Sequence, residues 1–205
     1  MEGERLTADN MVDVYRQAWK ECDGPPIRYD KGNTEDKLLK KATDILTLWH
    51  SRQDPSIEVY GVEEPFTVDI DGNGDYPGNG LPPLVGYVDH ILKMPDGRIT
   101  LIDLKTAARK PSQLQVDQNL QLTAYSLGAK TLGFEPDELT LRMDYLIKTT
   151  TPDLAIYETS RTDEDRRKFI KMLTRVWKGI ECSIFYPNRS YLCSSCGYQT
   201  HCREW

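Results

Sequence analysis

The chain has 205 residues, 39% of them apolar and 28% charged, and 26 lysines and arginines against 32 aspartates and glutamates leave a net charge of −6. That length and apolar share supply the core of one compact domain, and the acidic balance argues against wholesale coating of nucleic acid while permitting local basic patches. No apolar run reaches the length of a membrane span and the opening MEGERLTADN lacks the parts of a secretory leader, so the expected compartment is the cytoplasm, with no membrane partner.

Residues 6–20 carry a helical spacing through Met11, Val12, Tyr15 and Trp19, which CDGPP at 22–26 interrupts. A stronger pattern runs from about Asn33 to His50, where Leu38, Leu39, Ala42, Ile45, Leu46 and Trp49 recur at three- and four-residue steps. Residues 57–70 look extended, and DGNGDYPGNGLPP at 71–83 predicts a loop. Its opening DGNGD resembles a calcium loop, but Tyr76 stands where a glycine must turn and Pro82 where a bidentate glutamate is needed, so a polar loop is expected.

LVGYVDHILK and RITLIDLK follow as two strands around the turn MPDG. A helix is expected from Leu114 to Ala129 and a strand over LTLRMDYLIKT. DEDRRKFIKMLTRVWKGI predicts a basic helix with Phe169, Met172, Leu173, Val176 and Ile180 toward the core. The tail, 182–205, reads as a short Cys-rich module of the same domain.

The run LIDLKTA at 101–107 concentrates the chemistry. In a strand Ile102 and Leu104 point to one side while Asp103 and Lys105 share the other. Folding the hairpin about Asp96–Gly97 with a turn of two or three residues sets Asp89 opposite position 104 or 103, within reach of Asp103. Two carboxylates so placed repel unless a cation or a proton joins them. Mg²⁺ or Mn²⁺ suits such oxygen ligands, and Lys105 could then neutralise charge on a phosphoryl oxygen. A solvated lattice of salt bridges on an amphipathic strand accounts equally well for the hairpin alone.

Five cysteines, Cys22, Cys182, Cys193, Cys196 and Cys202, make an odd count that disfavours a disulfide scaffold. The three in C193-S-S-C196-G-Y-Q-T-H-C202 suit Zn²⁺ or an iron–sulfur centre, with Cys22, Cys182 and His201 as candidates for a fourth ligand.

The order G86-Y-V-D89, L101-I-D-L-K105 and Q118-N-L-Q121-L-T-A-Y125 resembles the PD-(D/E)XK nucleases, in particular their RecB-like branch. The resemblance implies an α/β fold: a restriction-endonuclease-like core whose central mixed sheet is flanked by helices, spanning 1–205 as a single domain. It implies catalytic roles for Asp89, Asp103, Lys105, Gln121 and Tyr125, with the Leu104 carbonyl as a metal ligand beside the two aspartates. Asp36, four residues after Gly32, falls where the branch carries a further metal ligand, although His or Glu is usual there and Glu35 is adjacent. The tail spacing after F185-Y-P187 is similar to the [4Fe-4S] sites of AddB nucleases and CRISPR-adaptation exonucleases, which implies Cys22, Cys193, Cys196 and Cys202 as ligands, with Zn²⁺ as the alternative.

The implied activity is a Mg²⁺- or Mn²⁺-dependent DNA exonuclease acting on single-stranded or end-containing DNA. The alternatives are a nucleic-acid-binding or scaffold protein of a nuclease–helicase assembly and a structure-selective endonuclease. Arg109, Lys110 and the basic set Arg166, Arg167, Lys168, Lys171, Arg175 and Lys178 are candidates for phosphate contacts, and Tyr87 or Tyr191 for stacking on a base. A homo-oligomer or DNA-processing partner proteins are compatible with this reading.

Overall fold

A computed structural model of the chain describes residues 6–22, 24, 29, 32–70 and 80–204. Most of the loop expected at 71–83, with the calcium-like DGNGD, lies outside the described residues. The chain forms two compact units, one of Met1–Val68 with Leu84–Arg166 and one of Asp69–Pro83 with Arg167–Trp205.

In the first unit two helices, α1 (Ala8–Lys20) and α2 (Glu35–Ser51), start at threonine caps. The Thr7 and Thr34 side chains accept from the amides of Asn10 and Lys37, meeting donors that a helix start leaves open. Five strands follow: β1 (Glu58–Val68), β2 (Leu84–Lys93), β3 (Ile99–Ala107), β4 (Thr140–Ile147) and β5 (Asp153–Thr159). They form one sheet in the order β1-β2-β3-β4-β5, antiparallel throughout except for the parallel pair β3–β4. That pair needs a crossover, which α3 (Gln113–Asp117) and α4 (Leu120–Gly128) supply. The expected α/β architecture, a mixed sheet flanked by helices, is the one observed.

The core follows the central strands. Leu101, Ile102, Leu141 and Met143 are fully buried, as are Val88 and Ile91 of β2 and Val116 and Leu122 of the crossover. α2 stacks Trp49 on His90 of β2, with ring centroids 6.2 Å apart.

Two sequence expectations change here. The helix expected over 114–129 breaks at Asn119, whose backbone is extended (φ −69°, ψ 121°) and whose side chain caps α4 by accepting from Leu122 N–H. Arg161 fixes that break: its guanidinium donates to the carbonyls of Val116 and Asn119 and to Thr123 Oγ1, at 2.9–3.1 Å. A fifth strand, β5, also stands where no element was expected.

The second unit holds most of α5 (Asp163–Glu181) and a tail with a 3₁₀ turn at Tyr191–Ser195 and a short α6 (Gln199–Arg203). Phe169 is buried, as expected, and so is Ile170. Met172, Val176 and Ile180, expected to face the core, are instead 36%, 53% and 44% exposed. Their four-residue spacing reports one face of the helix, but periodicity cannot say whether that face is covered.

Candidate active site

The site begins with a turn. Met94 and Arg98 close it, Met94 N–H donating to Arg98 O at 2.8 Å, so Pro95, Asp96 and Gly97 form a three-residue loop. Gly97 takes φ +86°, a conformation glycine adopts without steric cost. This length sets the register His90↔Ile102, Ile91↔Leu101 and Lys93↔Ile99. One more step in the same register places Asp89 across from Asp103; of the two registers expected, only this one keeps both acids on one side of the sheet.

At that step the ladder ends and a side chain takes over. Asp89 Oδ2 accepts the Leu104 N–H at 2.8 Å. In a strand the N–H and C=O of one residue leave the same edge, so the Leu104 carbonyl points into the same gap. Lys105 Nζ donates to Asp103 Oδ1 at 2.7 Å, as their alternation on one side of β3 requires. The Tyr125 hydroxyl lies 3.3 Å from Asp89 Oδ1 and 3.4 Å from Asp103 Oδ1, and it accepts from Gln121 Nε2 at 3.1 Å. Asp89, Asp103, Lys105, Gln121 and Tyr125 therefore form one connected set.

A glycine positions the tyrosine. Gly86 pairs with Phe66 across β1–β2. A Cβ at Gly86 or at Gly128 of α4 would sit 2.6 Å from the Phe66 ring. The ring fills both vacancies and meets Tyr125 edge-on, with centroids 6.1 Å apart. The glycine three residues before Asp89 thus serves to seat α4, and with it Tyr125, over the hairpin.

Electrostatics mark Asp103. Burial drives its pKa up; the bond from Lys105 opposes that rise, and the neighbouring Asp89 adds to it. Tyr125 is pushed well above the ordinary phenol range, first by burial and then by the two carboxylates. Asp103 is completely buried, and among the described residues its Oδ2 has no hydrogen-bond partner. An ionised oxygen left so is costly in the folded chain. Beside a second carboxylate and a backbone carbonyl it makes a donor set that fits a hard divalent ion.

The chain matches the family model of the PD-(D/E)XK nuclease superfamily over residues 1–203. It belongs to that superfamily. Among solved structures, the member is similar to a protein from Eubacterium rectale that carries the provisional name of an exonuclease, at 16% identity and TM-score 0.52, covering 98% of this chain and 76% of that one. It is also similar to the protein SSO0001, at 16% identity and TM-score 0.42, over 83% of this chain and 72% of that one. No curated protein matches the sequence.

The remaining candidate residues of this PD-(D/E)XK chain stand differently. Among the described residues, no three His, Cys, Asp or Glu side chains form a group that could hold one ion. Asp36 is exposed at the start of α2 and does not complete such a group with Asp89 and Asp103. Its neighbour Glu35 accepts the Trp19 indole N–H at 3.2 Å, pairing α1 with α2. In the second unit Cys196 is exposed and Cys193 and Cys202 are half-buried, with Cys193 Sγ accepting the Ser190 N–H at 3.3 Å. As placed, these thiols do not make a preassembled metal site. Tyr87 and Tyr191 are 61% and 87% exposed.

Of the basic set, Arg166 is buried in the first unit, donating to Asp137, Ser126 and the Arg161 carbonyl, which makes it a structural residue. Lys171 and Arg175 line a groove of about 700 Å³ in the second unit, together with Met172, Val176, Ile180 and Phe185. Sequence reasoning missed Arg161, which sets the start of α4. Only its tertiary partners reveal it.

Proposed function

We propose that the chain is a metal-dependent DNA exonuclease of the RecB-like branch, hydrolysing phosphodiester bonds in single-stranded or end-containing DNA. The single observation that carries this reading is the orphaned Asp103 Oδ2, buried beside Asp89 and capped on its other oxygen by Lys105. Asp89, Asp103 and the Leu104 carbonyl would hold Mg²⁺ or Mn²⁺. Such an ion supplies Lewis-acid polarisation of the phosphate and a lowered pKa for water.

The protein residues divide the rest of the work. Lys105 offers a positive charge where the phosphoryl oxygens gain negative charge. Tyr125 keeps its proton at neutral pH, because burial and the carboxylates both oppose its ionisation, and so remains a donor that holds the two carboxylates in place. Gln121 fixes the direction of that hydroxyl.

Labelled linear and circular single strands incubated with Mg²⁺ or Mn²⁺ test the proposal. Linear DNA should be shortened from an end and circular DNA left intact, with activity lost in Asp103→Ala and Lys105→Ala. Cleavage of the circle would make the enzyme an endonuclease. Binding without cleavage in either metal would leave a DNA-binding protein.

The tail carries a separate proposal from its spacing alone: Cys22, Cys193, Cys196 and Cys202 as ligands of a structural [4Fe-4S] cluster, with Zn²⁺ as the rival. Iron, sulfide and zinc measured on anaerobically purified protein decide between them.

A further inference from the structure

The parallel register between β3 and β4 pairs Asp103 with Met143 and Lys105 with Tyr145, and β5 pairs Met143 with Tyr157. Paired residues on neighbouring strands face the same side. The acid–amine pair of β3 therefore has two tyrosines beyond it, away from Asp89.

The hydroxyls of the three local tyrosines are committed differently. Tyr125 is bonded to Gln121 and both carboxylates. Tyr157 donates to the Pro111 carbonyl at 2.9 Å. Among the described residues Tyr145 donates only to the thioether sulfur of Met143, at 3.6 Å, and a thioether is a weak acceptor. Its ring nonetheless has a fixed seat, edge-on against Tyr157 with centroids 6.1 Å apart and planes at 87°. A phenylalanine would fill that seat equally well, so packing alone does not account for the hydroxyl.

We infer that Tyr145, paired with Lys105 across β3–β4, is a substrate-binding residue whose hydroxyl turns from the Met143 sulfur to donate a hydrogen bond to a non-bridging phosphate oxygen of the nucleic-acid strand. The inference rests on the nuclease reading and extends the site to a second strand. Electrostatics support the direction of the bond. Burial raises the pKa of Tyr145 and Asp103 raises it further, with Lys105 opposing, so the phenol keeps its proton at neutral pH. Lys105 supplies a positive charge to this neighbourhood, while Asp103, the larger influence at the hydroxyl, is the carboxylate that the proposed cation would neutralise. A neutral donor there adds recognition without adding charge.

Tyr145→Phe removes the oxygen and keeps the ring. Binding of a short fluorescein-labelled oligothymidylate, measured by anisotropy with Ca²⁺ in place of Mg²⁺, should weaken about tenfold or more, with the melting temperature unchanged or raised. A methylphosphonate scan of the oligomer, neutralising one linkage at a time, adds a readout that a structural role would not move. One linkage should cost the native protein about tenfold and the variant almost nothing, as for two groups in contact.

Equal affinity, within about twofold, together with identical scan profiles would overturn the inference. A native protein that binds but never cleaves would sink the hydrolysis reading while the binding arms still decide the role of Tyr145. A native protein that does neither would sink both.

Discussion

The hairpin site of the first unit and the α5–tail region of the second carry their chemistry in opposite ways. Around Asp103 the polar groups are tied to one another, with Asp103 and Tyr125 buried, and the backbone, a glycine and an aromatic ring set their positions. Along α5 and the tail, the apolar ridge and Cys196 stand at the surface. The first arrangement is preorganised, with strain concentrated in one unsatisfied oxygen. The second presents its apolar and thiol groups at the surface. A preorganised site should respond to substitution through function, and a surface region through what it binds.

The largest expected effect tests the first half of that contrast. Asp103→Ala, Asp89→Ala and Lys105→Ala should each lower the cleavage rate by roughly 10²–10³-fold or more, with circular dichroism showing the native fold. Loss of folding in these variants would mean that the site is scaffold rather than chemistry.

Next come two core positions. Phe169→Ala should cost about 3–5 kcal/mol, because Phe169 is the covered part of α5. Gly86→Ala should cost about 1–3 kcal/mol by pressing a methyl group on the Phe66 ring. That cost should shrink when Phe66 is also changed to Leu, which chemical denaturation of the single and double variants would measure. A Gly86→Ala protein as stable as the native one would remove the explanation for the motif glycine.

Asp103→Asn sharpens the comparison by separating stability from function. The folded pKa of Asp103 is raised, so its contribution to stability is present while it is protonated and is lost as pH rises through that value. The metal-free variant should therefore melt higher than the native protein at neutral pH, by roughly 2–4 °C per kcal/mol recovered. The gain should vanish on acidification, when both side chains are neutral.

The smallest effect belongs to the exposed ridge. Val176→Ser and Ile180→Ser should each change stability by no more than about 0.5 kcal/mol. A larger loss on thermal melting would show that the ridge is covered in solution.

What could be read from the sequence divides along similar lines. The hairpin was legible because its determinants are local: alternation in LIDLK, a Pro-Asp-Gly turn, and counting across it. The helix caps at Thr7 and Thr34 are equally local. The break at Asn119 was hidden because its second determinant, Arg161, lies far along the chain and acts through backbone carbonyls. The exposure of Met172, Val176 and Ile180 was misread because a periodic stripe names a face without naming its cover. Tyr145 emerged only from the parallel register, which no short motif encodes. Asp36 and the thiols were placed by analogy of spacing, and proximity in sequence does not gather side chains by itself.

The turn at Pro95–Gly97 acts as a ruler. A slip of one residue in the register it holds would bring Asp89 into line with Leu104 and turn the two acids to opposite sides of the ladder. Such a chain would still contain every group the reaction requires and would have lost only their coincidence. The register held at a solvent-exposed connection thus decides whether the two acids meet, although the connection itself touches neither.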